Sequence, residues 1–397
     1  MSKWAQAGIG IAVLGAALAV IFGISHQKNR ETIEALQRET PVTAEVSQIE
    51  PSEVQRVEGP VTDGVIYVVE NGQRPGMREQ EISSEESSVS SALPTEEADE
   101  ESMEEETAGS LPADTAGDSP VSEGDGIITW NGETYKRSAH VKADLLIGVD
   151  DYGSADFLAV AAHDTSRNTL KVLMIPRDAM MEMNELDVDG NSRSVVTHIN
   201  FAHAGQGTEN EKAMRTVDAV EALLCGTGVD HYIAGHMSYL AEVNDLAGGI
   251  AVIVPNEELQ KADPAWKKGE QVVLHGAEAE KFIRYRDIAL AGTPLLRMDQ
   301  HKAYIAGFFN RLKEDKNLAV RLSDFAERNL TTDMSKGEYE KLLLDGISSG
   351  FDPQKDVMIF PGRMTAGKEG GNTFDQYYVN YEEAIPLLID LFYRRVS

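Results

Sequence analysis

The chain has 397 residues, is 42% hydrophobic and carries a formal charge of −30. That apolar fraction supports one large core or two smaller ones. The acidity excludes a nucleic-acid partner, which needs a basic face to neutralise phosphate. The charge is also uneven: from Glu79 to Gly126 about sixteen acidic residues stand with no basic one, about half of the total. The one cysteine, Cys225, cannot pair within the chain and reads as a small core residue rather than a reactive thiol.

Residues 1–6 precede an apolar run from Ala7 to Ile24, about 18 residues without a charge, with Lys3 before it and Lys28 and Arg30 after it. Its length predicts a transmembrane anchor over 7–25. A cleaved signal peptide would have a shorter apolar region and a clearer cleavage site than Gly23-Ile24-Ser25. The near-symmetric basic flanks leave orientation open, and almost all of the chain lies on one side. Residues 26–126 read as a linker. Within it Val65-Ile66-Tyr67-Val68-Val69 is an isolated strand or hairpin. Beyond residue 76 the segment is rich in Ser, Glu, Pro and Gly, with too little apolar surface to offset chain entropy. It is expected to be a disordered spacer, repelled by anionic headgroups.

The folded domain is expected over 127–397, with a core at 144–312. Asn131-Gly132, between Ile128-Thr129-Trp130 and Thr134-Tyr135, is the sequence of a type I′ hairpin turn. Apolar runs predict strands at Asp144–Val149, Phe157–Ala162 and Leu170–Ile175. Ala213, Val217, Val220 and Leu224 give one apolar helix face. A strand at Asp230–Ala234, a helix at Ser238–Leu246, a strand at Ile250–Val254 and a helix at Glu278–Arg286 follow. Another helix begins near Arg297, striped by Tyr304, Ile305, Phe308, Phe309 and Leu312. Helices at about 337–347 and 381–394 bracket a last strand, Val357–Phe360. Such alternation implies an α/β domain, a mixed central β-sheet flanked by helices.

Chemistry-bearing residues fall where these elements end. Asp150 closes one strand and Asp156 precedes the next, across a five-residue loop containing Gly153. Both carboxylates can face one point and share Mg²⁺ (or Mn²⁺), a hard cation suited to few protein ligands, water and phosphate oxygens. They also suit ordinary turn formation. Pro176 stops a strand, so that Arg177 projects from the rim of the sheet, where open α/β sheets bind ligands. A surface salt bridge with Asp178 is the plainer reading. Arg284 and Arg286, two apart at a helix end, diverge unless the helix frays. Arg297 opens the next helix, whose N-terminal amides add anion donors. Arginine forks suit a pyrophosphate. Of the histidines at 198, 203, 231, 236, 275 and 301, none shows a metalloprotease spacing or a triad, and His301, one turn after Arg297, is the one to test.

From Asp144 to about Leu312 the chain resembles the LytR-CpsA-Psr domain of Gram-positive bacteria. The resemblance is carried in order by Leu145-Leu146-Ile147-Gly148-Val149-Asp150, Ala155-Asp156 and Ile175-Pro176-Arg177-Asp178. His198-Ile199-Asn200, Leu246–Pro255, Gly276–Glu280 with Arg284-Tyr285-Arg286, and Arg297-Met298-Asp299-Gln300 complete it. Each piece is weak alone; the ordered set is specific. The resemblance implies a membrane-anchored enzyme, its C-terminal domain outside a single-pass anchor. Such an enzyme moves a glycopolymer (teichoic acid or capsular polysaccharide) from a polyprenyl-pyrophosphate carrier to peptidoglycan. It further implies Asp150 and Asp156 as metal ligands, Arg177, Arg284, Arg286 and Arg297 as phosphate ligands, and Asp178 as the group that orients or deprotonates the acceptor hydroxyl. Asn200, Gln300 and His301 are further candidates, and an apolar pocket would take the polyprenyl tail. The chain departs from the family pattern at Ser154, where arginine is usual, at Phe157, where threonine is usual, and at Gln300 and His301, where arginine and glutamine commonly follow. Two roles remain besides phosphotransfer: a non-catalytic lipid-phosphate binder of wall assembly, and a regulator, the last opposed by the acidic charge.

Overall fold

The apolar run that ends at Asp150 is the axis of the fold. In the computed structural model of this protein the described residues are 65–69, 122–123, 126–287, 293–369 and 372–396. The anchor expected at 7–25 and most of the acidic run lie outside them. Among the described residues no helix is long and apolar enough to cross a membrane.

Strand β5 (Val141–Val149) pairs antiparallel with β6 (Ala155–Asp164), which pairs antiparallel with β7 (Thr169–Ile175). On one side β10 (His231–His236) runs parallel to β5, with β13 (Thr331–Thr332) antiparallel at its edge. On the other, β14 (Val357–Ile359) runs parallel to β7, so the central sheet is mixed, as expected. Every residue of β6 is buried. Helices cover both faces, which is why these strands read as continuous apolar runs and not as alternating ones.

Alternate residues of each strand feed two cores. Leu146, Ala159, Val172 and Ile233 pack against α2 (Leu240–Leu246), α4 (Glu278–Arg284), α5 (Thr293–Glu314) and α6 (Lys316–Asn329). Leu145, Ile147, Val160 and Leu173 pack against α1 (Glu209–Leu223) and α9 (Tyr381–Phe392). Helix α1 starts at a capping box, Thr208 with Glu211, which satisfies two of its free amides. Short helices α3 (Leu259–Ala262) and α8 (Pro353–Asp356), and α7 (Lys336–Ser348), complete the helical set among the described residues.

Four smaller sheets surround this centre. β3 (Ile127–Trp130) and β4 (Glu133–Arg137) join at Asn131-Gly132, whose φ values of 52° and 77° are those of the expected type I′ turn. β2 (Ser122–Glu123) and β17 (Tyr393–Arg395) flank that hairpin. β11 (Ile250–Ile253) pairs with β12 (Gln271–Leu274), and β15 (Gly362–Glu369) with β16 (Asn372–Val379). The fourth sheet is β1 (Ile66–Val68), β8 (Met180–Leu186) and β9 (Ser192–His198), in the order β1-β8-β9. The Val65–Val69 cluster is therefore neither isolated nor a hairpin: it is an edge strand of the domain, drawn from within the segment assigned to the linker.

One helix boundary also moves. The helix expected to open near Arg297 begins at Thr293, with Pro294 as its second residue, a position where the missing amide costs nothing. Arg297 thus stands in the second turn, and its contribution is its side chain rather than the helix end.

Candidate active site

The loop that joins β5 to β6 is held by its own backbone. Asp150 Oδ1 accepts the amides of Tyr152 and Ser154, each at 2.9 Å. The Asp150 amide donates to Ser154 O at 2.9 Å, and the Gly153 amide to Asp150 O at 3.1 Å. Gly153 sits at φ +82°, a conformation closed to most side chains, and this is where the loop turns. Asp150 and Asp156 are 7% and 4% exposed. Burial raises the Asp150 carboxyl above its usual range, and the charge of Asp156 raises it further, against the amides of Ser154 and Tyr152 and the Arg177 charge. The charge of Asp156 thus reaches Asp150 across the loop.

Asp156 is the hub. Its Oδ1 accepts from Arg177 Nη1 at 2.6 Å and from Arg297 Nη1 at 3.2 Å, with both guanidinium groups buried. Burial alone would raise its pKa, but Arg297, then Arg177 and Arg284, outweigh it and hold the carboxyl well below the usual range. With Asp178 beside Arg177, two buried guanidiniums face two buried carboxylates. Arg177 comes from the turn after β7, where Pro176 ends the ladder, and its Nε lies 3.5 Å from Asp178 Oδ1. The buried Asp178 Oδ2 has no hydrogen-bond partner among the described residues.

Helix α4 ends at Arg284, and Tyr285 is extended at ψ 130°, so the chain leaves the helix before Arg286. This release frees the two arginines from the divergence that a continuous helix would impose on them. Arg284 Nη1 donates to Glu280 Oε1 at 2.8 Å and lies 3.5 Å from Asp151 Oδ2. Its charge also reaches Asp156, while that of Arg286 reaches Arg297. Asp151, which the sequence did not single out, lies 3.5 Å from His236 Nε2 as well. Nothing in a run of two aspartates distinguishes the metal candidate from its neighbour at the rim.

Gln300 and Asn200 are 1% and 5% exposed, and Gln300 Oε1 and Asn200 Oδ1 have no hydrogen-bond partner among the described residues. His301 is pushed down to about 3, by burial and then by Arg297, against the pull of Asp156. Burial and the Arg297 charge both favour its neutral form. Its ring meets Phe157 edge to face at 5.3 Å between centroids. Two departures from the family pattern thus touch each other. Both rings line the cleft between β6, β7 and α5, whose volume of about 20 Å³ is room for a water. Ser154, where the family pattern has arginine, is 5% exposed and serves the loop through its backbone.

Two buried carboxylates, one of them strained in its charged form, fit a hard oxygen-ligated cation. Among the described residues no three His, Cys, Asp or Glu side chains converge into a complete cage. A cation that retains water and phosphate oxygens needs none.

The LytR_cpsA_psr family profile matches residues 120–360. The chain belongs to that family. It is similar to the polyisoprenyl-teichoic acid–peptidoglycan teichoic acid transferase TagV of Bacillus subtilis (strain 168), 29% identical over 233 residues. That alignment covers 55% of this chain and 56% of TagV, so the chain spans about half the length of this relative. Among solved structures, that of B. subtilis TagV is 24% identical with a TM-score of 0.49, covering 64% of this chain and 97% of the other. That of TagT bound to LI-WTA is 21% identical with a TM-score of 0.47, covering 64% and 90%. The LytR_cpsA_psr match takes in Asp150, Asp156, Arg177, Asp178, Arg284, Arg286 and Arg297, and it ends where the β15–β16 hairpin and α9 begin.

Proposed function

We propose that this protein is a membrane-anchored, Mg²⁺-dependent phosphotransferase that attaches a polyprenyl-pyrophosphate-linked glycopolymer to peptidoglycan. The observation that carries the reading is the buried Asp156 between Arg177 and Arg297, with Asp150 raised beside it. Family membership supports it, as does the transferase activity named for the TagV relative.

In this reading Arg177, Arg284, Arg286 and Arg297 grip the diphosphate through charge-assisted forks. Asp178, with one carboxylate oxygen unpaired, takes the proton of the acceptor hydroxyl. The hydroxyl oxygen bonds to the phosphorus next to the sugar, the bridging P–O bond breaks, and polyprenyl phosphate leaves with the electron pair. Asp150 and Asp156 would hold Mg²⁺, which supplies neutralisation of the charge gathering on the bridging oxygen. The anchor is the apolar run at 7–24, which would hold the domain outside the membrane.

The test is release of polyprenyl phosphate from a pyrophosphate-linked saccharide by the purified protein. Asp150→Asn is expected to abolish Mg²⁺-dependent release while leaving apolar tail binding nearly intact. Tight lipid binding by the wild-type protein without any turnover would replace this reading with that of a non-catalytic lipid-phosphate binder.

A further inference from the structure

His203 is fully buried at the end of the 3-10 turn Ile199–His203, and its Nδ1 lies 3.0 Å from Gly153 O. A carbonyl only accepts, so Nδ1 carries the proton and donates. Gly153 is the turning point of the loop that presents Asp150 and Asp156. At its other end the same 3-10 turn holds the second half of the site: the Asn200 amide donates to Arg177 O at 3.3 Å, and the Ile199 amide to Ala179 O at 2.8 Å. One five-residue segment thus touches both the carboxylate loop and the guanidinium turn.

The segment is itself immobilised from behind. Arg215 of α1 donates to Ala202 O at 3.3 Å, Ala204 O at 2.9 Å and Gln206 O at 3.2 Å. Gly205 lies so close to β1 that a Cβ there would collide with Val65 O. Burial pushes the His203 ring down to about 4, against the pull of the Gly153 carbonyl, so the donor tautomer is neutral. A fully buried polar side chain spent on a loop carbonyl is the arrangement by which outer groups orient metal ligands.

We infer that His203 is a positioning residue for the cation site, setting through Gly153 the separation of Asp150 and Asp156 from Arg177. The inference rests on reading those aspartates as cation ligands. It gives the 3-10 turn a role beyond packing: the distance between carboxylates and guanidiniums is fixed by one rigid bridge, and not by the sheet alone.

The experiment compares the wild-type protein with His203→Leu and His203→Asn. Asparagine places an amide nitrogen close to the Nδ1 position. Two readouts are taken: Mn²⁺ affinity in the presence of inorganic pyrophosphate, and amide exchange of Tyr152 and Ser154, which donate to Asp150. His203→Leu is expected to weaken Mn²⁺ binding by about 10–100-fold and to speed exchange at both amides, and His203→Asn to restore most of each. Should His203→Leu fail to fold, His203→Gln, whose amide falls at the Nε2 position, takes its place. A lowered Tm with unchanged Mn²⁺ affinity and unchanged exchange overturns the inference, as does asparagine performing no better than leucine. If the wild-type protein binds no Mn²⁺, the functional reading fails, and exchange at Tyr152 and Ser154 alone decides whether His203 orders the loop.

Discussion

Two buried aspartates of the central sheet, Asp144 on β5 and Asp156 on β6, are treated in opposite ways. At the carboxyl end, the acids at 150 and 156 face Arg177 and Arg297, and Asp156 stays firmly charged. Towards the amino end Asp144 is 2% exposed and lies beside His231 of β10 in parallel register. His231 is turned to another acid, its Nδ1 standing 3.5 Å from Asp333 Oδ2. Asp144 is raised to about 7, by burial first, with Asp230 and Asp333 adding to it and His231 and Lys142 opposing. Both acids are buried; the direct contacts of Arg177 and Arg297 hold Asp156 as the anion, whereas Arg137 pairs with Asp230 beside Asp144. The sheet therefore has one charged end, suited to phosphate chemistry, and one end whose buried acid is half neutral near pH 7.

The sharpest way to break this contrast is Asp156→Ala, which strands Arg177 and Arg297 without their shared carboxylate. Loss of one member of a buried ion pair costs about 3–5 kcal/mol, so urea unfolding should show a fall of that order. A loss below about 1 kcal/mol would mean that the guanidiniums are already well solvated.

Asp144→Asn tests the other end, and its effect has a definite sign with pH. The folded protein holds the Asp144 proton up to about pH 7, whereas the unfolded chain releases it near 3.8. Between those values the native state binds more protons, so Asp144 erodes stability as pH rises and does so fully above pH 7. The variant should match the wild type below pH 4 and exceed it by roughly 2–4 kcal/mol at pH 8. Urea midpoints measured across this range check it, and a gain that is flat with pH would refute the neutral-acid reading.

The smallest effect concerns the ring pair that narrows the charged end. In a double-mutant cycle of Phe157→Thr and His301→Gln, the coupling should be about 0.5–1.5 kcal/mol. Because His301 is already neutral, His301→Gln should leave the pH–rate profile between 5 and 8 unchanged. A new limb in that profile would show that the ring titrates.

Much of the charged end was legible because its residues sit where apolar runs stop. Long buried strands announce their ends, and Asp150, Arg177 and Pro176 mark them. The β8–β9 arm was not legible: Met180-Met181-Glu182-Met183-Asn184-Glu185-Leu186 has helix-forming residues and no β-branched one. It becomes a strand because it pairs with β9 and β1. Helix α6 carries a readable stripe of Leu318, Leu322, Phe325 and Ala326. His203 left no trace of any kind, since its partner is a backbone carbonyl 50 positions away. Contacts to main-chain atoms impose no residue type on the other side. Nor could sequence reveal that Phe157 and His301 meet, because the pairing depends on how α5 lies across β6.

Strand β1 changes the wiring of the whole chain. Since Ile66–Val68 pairs with β8 and Ser122–Glu123 with β3, the chain is fixed to the domain on both sides of the acidic stretch. That stretch is in parallel with the path from the N-terminus, not in series. Any tether from residue 25 to the domain ends at Ile66, a contour of at most about 150 Å at 3.6 Å per residue. Tension applied at the N-terminus would first peel a three-residue ladder beside the 3-10 turn, and would reach the acidic stretch only after that ladder opens.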